Sequence, residues 1–259
     1  MKKGLHIALT ITGCKRPELF KSTVESLCSK IKDLHLIKTI IHYDDSSDDE
    51  SRKKMYEVLV SNFPDKLVCT RYFNKDSFTT DKRHMHVMNC WLDDLSQLGI
   101  DYVFHTEDDW LYTNDLSISG ALDILISDDK CGQIGFSQPL RRFPEGIHIE
   151  KGGDYWKWYY REDLPLLDNL FMDDLMIEQW NVPGLWLYYI NWPHFSLRPG
   201  LFDVEKLLTV GKFLETEESF EFEFAKRYSK KFYNYSHKLS LCEHIGDSNS
   251  SYELNNSKR

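Results

Sequence analysis

The strongest constraint on this chain is a repeated switch between strand-like and helix-like hydrophobic patterns over its first hundred or so residues. Leu5 to Thr12 reads as a strand. Arg16-Pro17 then opens a helix with proline at its first position, where the missing N–H costs nothing. Leu19, Phe20, Thr23, Val24, Leu27, Cys28 and Ile31 recur at helical spacing and make its buried stripe. A second strand, L-I-K-T-I-I-H at residues 36 to 42, runs into the polar turn Y-D-D-S-S-D-D-E-S and a helix around residues 50 to 61. K-L-V-C-T-R-Y from residue 66 is a third strand, a helix follows near residues 83 to 97, and D-Y-V-F-H-T is a fourth strand. This β-α-β-α-β-α-β order implies an α/β fold with a mainly parallel sheet and helices on both faces.

Such sheets bind ligands beyond the carboxyl ends of their strands. Two acidic clusters fall on that edge: Asp44-Asp45 after the second strand and Glu107-Asp108-Asp109 after the fourth. Two carboxylates about 5 Å apart in a partly buried site repel by roughly 3 kcal/mol at an effective dielectric near 20. Either open water or a cation relieves that. For Asp44 and Asp45 the plain alternative is turn formation and capping of the next helix. Solvated turns have no reason to converge on one rim, so the shared position favours a ligand. I-T-G-C-K-R-P after the first strand has a single glycine, which excludes both the dinucleotide fingerprint and a P-loop. A phosphate held here needs a metal, and carboxylate oxygens suit Mg²⁺ or Mn²⁺.

Composition narrows the rest. At 259 residues the chain is near the upper limit of a single core, so one large domain, or two lobes sharing a sheet, is expected. A formal charge of −9 argues against general nucleic-acid or anionic-membrane affinity, while leaving room for a local basic pocket. Cys14, Cys28, Cys69, Cys90, Cys131 and Cys242 are scattered with no C-x-x-C pair, which fits reduced thiols in a cytoplasmic setting. The N-terminal M-K-K-G-L-H-I-A-L-T-I-T-G-C lacks a small-residue cleavage site, and no apolar run approaches the ~20 residues of a membrane-spanning helix. A soluble protein is expected.

Five stretches together resemble the nucleotide-sugar-dependent glycosyltransferases of the GT-A fold. They are I-T-G-C-K-R-P-E-L-F-K-S-T-V-E-S-L, H-Y-D-D-S-S-D, T-E-D-D-W, E-T-E-E-S-F-E-F-E-F-A-K-R-Y and C-E-H-I-G-D-S-N-S-S-Y. Their order and spacing span nearly the whole chain. The resemblance implies a Rossmann-like GT-A fold in one catalytic domain, residues 1–259. Residues 1–113 form its nucleotide-sugar-binding half, and residues 114–259 its acceptor-binding and catalytic half. It implies an inverting enzyme that takes a UDP- or GDP-sugar donor, a glycan or other hydroxyl acceptor, and Mn²⁺ or Mg²⁺.

Carried over by position, the resemblance makes Asp109 the direct metal ligand of a D-x-D-type motif written here Glu107-Asp108-Asp109. Glutamate replaces the usual first aspartate. Glu107 and Asp108 would act through water or hold the donor ribose. Asp45, beside Asp44, would hydrogen-bond the nucleotide base, with Thr12 and Arg16 adjacent. Arg83 would reach the base or the diphosphate, unless it is a solvated helix-end cation. His244 is matched to the histidine that completes the metal site, with His237 as its competitor.

For the proton of the acceptor hydroxyl, the resemblance points to Glu218 and then Glu217, the acidic pair opening a late helix. Glu218 stands where aspartate is usual. The plain alternative is first-turn acids favoured by the helix dipole behind a Thr216 cap. Asp203 and Asp173-Asp174 are outside candidates. The aromatic runs around Trp156, Trp158, Trp180 and Trp192 offer flat faces for an acceptor sugar, although W-L-Y-Y-I-N-W at residues 186 to 192 also reads as a half-buried strand. A nucleotidyltransferase would place carboxylates and Mg²⁺ similarly, but usually carries a Gly-rich basic loop. A non-catalytic glycan-binding protein would leave Asp45, Asp109 and Glu218 without a purpose.

Overall fold

The computed structural model describes residues 4–74, 80–137, 147–152, 155–160, 195–216, 219–237 and 239–246. Strands β1 (Ile7–Gly13), β2 (Ile37–Asp45), β3 (Leu67–Phe73) and β4 (Tyr102–Glu107) alternate with helices α1 (Pro17–Lys30), α2 (Asp49–Asn62) and α3 (Thr80–Gln97). The four strands pair in parallel, in the order β3-β2-β1-β4. Each of these expected elements is present, with bounds that shift by at most three residues, and the strand read at residues 186 to 192 lies outside the described residues.

The chain continues through β5 (Trp110–Tyr112), α4 (Ile118–Ser127), β6 (Cys131–Gly135), β7 (Ile147–Gly152) and β8 (Tyr155–Tyr160). It then forms β9 (Gly200–Asp203), α5 (Val204–Val210), α6 (Phe220–Ser229), β10 (Tyr233–His237) and β11 (Cys242–His244). The main sheet has the order β3-β2-β1-β4-β9-β6-β10-β8-β7. Among the described strands, only β9 and β8 run against the direction of the others, so the sheet is mainly parallel. β9 joins the two halves: it pairs antiparallel with β4 on one side and with β6 on the other.

The strand period divides the core. Ile7, Leu9 and Ile11 of β1 and Phe104 of β4 pack on the α1, α2 and α4 face, where Phe20, Val24, Leu27, Met55, Leu59 and Leu122 meet them. Ala8 and Val103 point the other way, toward Val87, Trp91 and Leu95 of α3 and Leu207, Phe224 and Tyr228 of α5 and α6. Polar groups inside this second layer are satisfied: Trp91 Nε1 donates to Thr10 Oγ1 at 3.0 Å, and that hydroxyl lies 3.0 Å from His105 Nδ1. Burial drives His105 down to about 3, so the imidazole there is neutral.

The start of α4 is capped from a distance. Ser117 accepts from Gly120 N–H at 3.1 Å, and Asp33, before a short 3₁₀ turn at Leu34–Leu36, accepts from the N–H groups of Ile118 and Ser119 at 2.8 and 2.7 Å. Three of the orphan donors that open a helix are thereby satisfied. No described helix is long and apolar enough to cross a membrane, and all six cysteines are free.

Candidate active site

Parallel register brings the acidic clusters to one edge. Thr12 pairs with Tyr43 on one side and Glu107 on the other, and Gly13 pairs with Asp44, so β1, β2 and β4 end level. The turns beyond them interlock. Lys15 adopts φ 55° and donates its N–H to Ser47 Oγ at 2.7 Å, while Ser47 N–H donates to Asp44 Oδ1 at 2.8 Å. Asp44 is fully buried and shapes this turn, with Arg52 Nε 3.7 Å from its other oxygen. The cap of α2 is Asp48, which accepts from Ser51 N–H at 2.8 Å.

Asp45 points to the other side and pairs with Arg83 Nε. Arg83 is 2% exposed, which removes the solvated helix-end reading of that residue. Its Nη2 is buried without a hydrogen-bond partner among the described residues. A buried guanidinium nitrogen left over after its ion pair is a donor in want of an acceptor.

Two acids of the triplet, Asp108 and Asp109, are arranged around Arg16. Its guanidinium grips Asp108 through Nε at 3.2 Å and through Nη2, and reaches Asp109 Oδ2 through Nη1 at 2.8 Å. Cys14 N–H also donates to Asp108, at 3.2 Å. Gly13 permits this approach, since a Cβ there would lie 3.1 Å from Asp108 Cβ and Oδ2. Burial pushes the Asp108 carboxyl up to about 7, against the opposing charge of Arg16. Glu107 is turned toward Trp110, whose Nε1 donates to it at 3.1 Å.

Asp109 receives a second partner from the far end of the chain. β11 pairs antiparallel with β5, setting His244 opposite Trp110, and Ile245 N–H donates to the Asp109 carbonyl at 2.8 Å. His244 Nε2 lies 3.3 Å from Asp109 Oδ2. Burial would raise the Asp109 pKa, but the His244 hydrogen bond and the Arg16 charge bring it below the ordinary carboxylate value. Asp109 Oδ1 is buried and accepts no hydrogen bond among the described residues. An orphaned carboxylate oxygen beside an imidazole nitrogen fits a divalent cation. No described cluster of three or more His, Cys, Asp or Glu side chains forms a ready-made cage, so further ligands would have to come from a bound molecule or water.

Glu217 and Glu218 lie outside the described residues, as do Trp180, Trp192 and Asp173-Asp174. Trp156 and Trp158 are on β8, paired in register with Ser236 and Asn234 of β10. His237 ends β10, and its Nδ1 is engaged with the backbone of Leu239 at 3.0 and 3.1 Å. Asp203 caps α5 by accepting from Lys206 N–H at 3.1 Å. One carboxylate that sequence reasoning passed over stands at this rim: Glu221, in the first turn of α6, accepts from Leu197 N–H at 2.8 Å. Its only signal in the sequence is its place in E-E-S-F-E-F, three residues after Glu218.

No protein-family model matches the chain, and no curated protein matches it in sequence. Its fold does match solved structures. The mannosyltransferase PcManGT from Pyrobaculum calidifontis, in complex with GDP-Man and Mn²⁺, superposes with a TM-score of 0.56 at 13% identity, over 99% of this chain and 65% of that one. S. aureus TarS residues 1–349 superposes with a TM-score of 0.52 at 13% identity, over 91% of this chain and 58% of that one. The chain therefore spans less than two thirds of the length of these structures. The fold is that of a GT-A-like glycosyltransferase.

Proposed function

We propose that the protein is an inverting glycosyltransferase that moves a sugar from a UDP- or GDP-sugar to an acceptor hydroxyl with Mn²⁺ or Mg²⁺ as cofactor, and that it works in the cytoplasm. The observation that carries this reading is the rim itself. Asp45 with Arg83, and Asp109 with His244, meet at the carboxyl ends of parallel strands, and each pair leaves one buried polar atom unsatisfied among the described residues. The fold match to a mannosyltransferase described with GDP-Man and Mn²⁺ supports the donor class and the metal.

In this reading Asp45 and the spare Arg83 nitrogen hold the nucleotide base, with Thr12 and the Asp44 turn beneath. Glu107 holds the donor ribose or meets the cation through water, while Asp108, fully buried against Arg16 and the Cys14 N–H, acts by fixing Arg16 in place. Asp109 and His244 hold the cation, which as a Lewis acid would offset the charge gathering on the departing diphosphate. Arg16, already gripping Asp108 and Asp109, keeps the carboxylates in place and supplies a positive neighbour for phosphate oxygens. A carboxylate takes the proton of the acceptor hydroxyl as its oxygen attacks. By resemblance this acid is Glu218, with Glu217 second. Trp156, Trp158, Trp180 and Trp192 give the acceptor its aromatic faces.

The test is a thermal-shift screen of nucleoside diphosphates and nucleotide sugars, with Mn²⁺ and with chelator. Ligand at a hundredfold excess over its dissociation constant adds about 2.7 kcal/mol, a readily visible shift. UDP or GDP stabilises the chain in Mn²⁺ and not in chelator. Equal stabilisation in chelator removes the metal, and no stabilisation by any nucleotide removes the reading.

A further inference from the structure

α6 carries an acid whose setting differs from that of an ordinary first-turn carboxylate. Glu221 Oε1 takes both of its hydrogen bonds, from Leu197 N–H at 2.8 Å and from Ser196 Oγ at 3.3 Å. Oε2 has none among the described residues. Ser196 and Leu197 lead into β9, whose Gly200 pairs with His105 of β4, the strand that ends at Glu107. The anchor therefore brings the carboxylate to the donor side of the rim. Burial pushes it up to about 7, reinforced by the nearby charge of Glu107 and resisted by the Leu197 and Ser196 hydrogen bonds and the charge of Arg198.

A purely structural tie between α6 and the segment before β9 needs only one acceptor oxygen, which an amide would supply without a second charge near Glu107. A half-buried acid with one oxygen fixed and the other unengaged among the described residues is arranged to exchange a proton.

We propose that Glu221 is a catalytic residue, resting on the glycosyl-transfer reading above and taking the role that the resemblance gives to Glu218. With Oε1 held by Leu197 and Ser196, Oε2 accepts the hydrogen bond of the acceptor hydroxyl and takes its proton. The acceptor oxygen bonds to the anomeric carbon of the nucleoside-diphosphate sugar. The bond from that carbon to the diphosphate oxygen breaks, and its electron pair leaves on the diphosphate.

The experiment uses the full chain with Mn²⁺, GDP-mannose and UDP-glucose as donor probes, and a panel of methyl glycosides as acceptors. Turnover and GDP or UDP thermal shifts are measured for wild type, Glu221→Gln and Glu218→Gln. Glu221→Gln keeps an acceptor for Leu197, so its nucleotide shift stays at the wild-type value. Its kcat falls by about 10²- to 10⁴-fold, more than that of Glu218→Gln. Azide, a nucleophile with no proton to lose, restores glycosyl-azide formation in Glu221→Gln, which a structural lesion would not allow. If Glu221→Gln does not fold, Glu221→Asp is read in its place, and a loss of at least about tenfold in kcat with an unchanged nucleotide shift supports the assignment. Near-normal turnover in either variant, absence of azide rescue, or a larger loss in Glu218→Gln overturns it while the glycosyltransferase reading stands. A wild type that neither binds nucleotide nor consumes donor ends both.

Discussion

His244 Nε2 sits 3.3 Å from Asp109 Oδ2 because two three-residue strands, β5 and β11, hold them side by side. Asp109 thus meets an imidazole through Oδ2 and keeps Oδ1 free of hydrogen bonds among the described residues. If the pair holds the cation, Asp109→Asn abolishes the Mn²⁺-dependent part of nucleotide stabilisation. His244→Ala leaves that stabilisation in place but raises the Mn²⁺ needed by roughly tenfold or more. A Mn²⁺ titration at fixed nucleotide, followed by melting temperature, checks both.

Gly246 follows His244 closely and has no room for a side chain. A Cβ there would collide with Asp109 Oδ2 and meet its Cβ and Cγ at 3.0 Å. Gly246→Ala is expected to cost about 1–3 kcal/mol, as overpacking does, and to weaken Mn²⁺ binding as Asp109 shifts. Chemical denaturation beside the same titration measures the two effects. A variant unchanged in both would mean that the segment after β11 yields freely.

The Asp45–Arg83 pair gives a sharper stability test, because Arg83 is 2% exposed and Asp45 is 18% exposed. Asp45→Ala strands a buried guanidinium and is expected to cost about 3 kcal/mol, toward the low side for a buried pair because Asp45 keeps some solvent. Asp45→Leu combined with Arg83→Met recovers most of that stability, yet binds nucleotide poorly if these residues hold the base. Urea denaturation of the single and double variants, with nucleotide titrations, separates the structural role from the binding role.

Asp33 makes a pH prediction. Its hydrogen bonds to Ser119 and Ile118, and to the Ser117 hydroxyl, outweigh burial and lower its pKa in the folded protein. A lowered folded pKa means that its stabilising effect is complete above the unfolded value, near 3.9, and fades as pH falls through the folded value. Asp33→Asn is therefore expected to cost about 1.5–3 kcal/mol at neutral pH, the usual worth of hydrogen bonds to a charged group. That gap to wild type closes in strong acid. Parallel melts from neutral pH to pH 3 check the sign, and a constant gap would contradict it.

Much of the architecture of β1 to β4 was legible, because local patterns encode it. Ile7, Leu9 and Ile11 alternate with Ala8 and Thr10 and pack on opposite faces, as a strand period of two requires. β2 runs on to Asp45, beyond the His42 where hydrophobicity stops, because its last residues pair with both Gly13 and Phe73. Asp109 beside His244 was expected from motif order, whereas the ion pair of Asp45 with Arg83 was not. Arg16 was expected beside the nucleotide base, and the structure shows it paired with Asp108 and Asp109. That pairing joins residues more than ninety positions apart and has no local pattern. Asp33 capping α4, and Glu221 tying α6 to Leu197, likewise leave no local pattern.

The insertion of β9 between β4 and β6 has a consequence for biosynthesis. When β4 leaves the ribosome its outer edge has no partner, and it keeps a row of unpaired N–H and C=O groups until Gly200–Asp203 has been made. Such an open edge is a template for pairing with other chains. Closing it requires contacts of long sequence separation, which form slowly. The nascent protein therefore passes through an aggregation-prone interval of about a hundred residues of synthesis, lasting roughly 5–20 s at ordinary elongation rates. A chaperone that shields strand edges should raise the soluble yield more than a lower expression temperature alone.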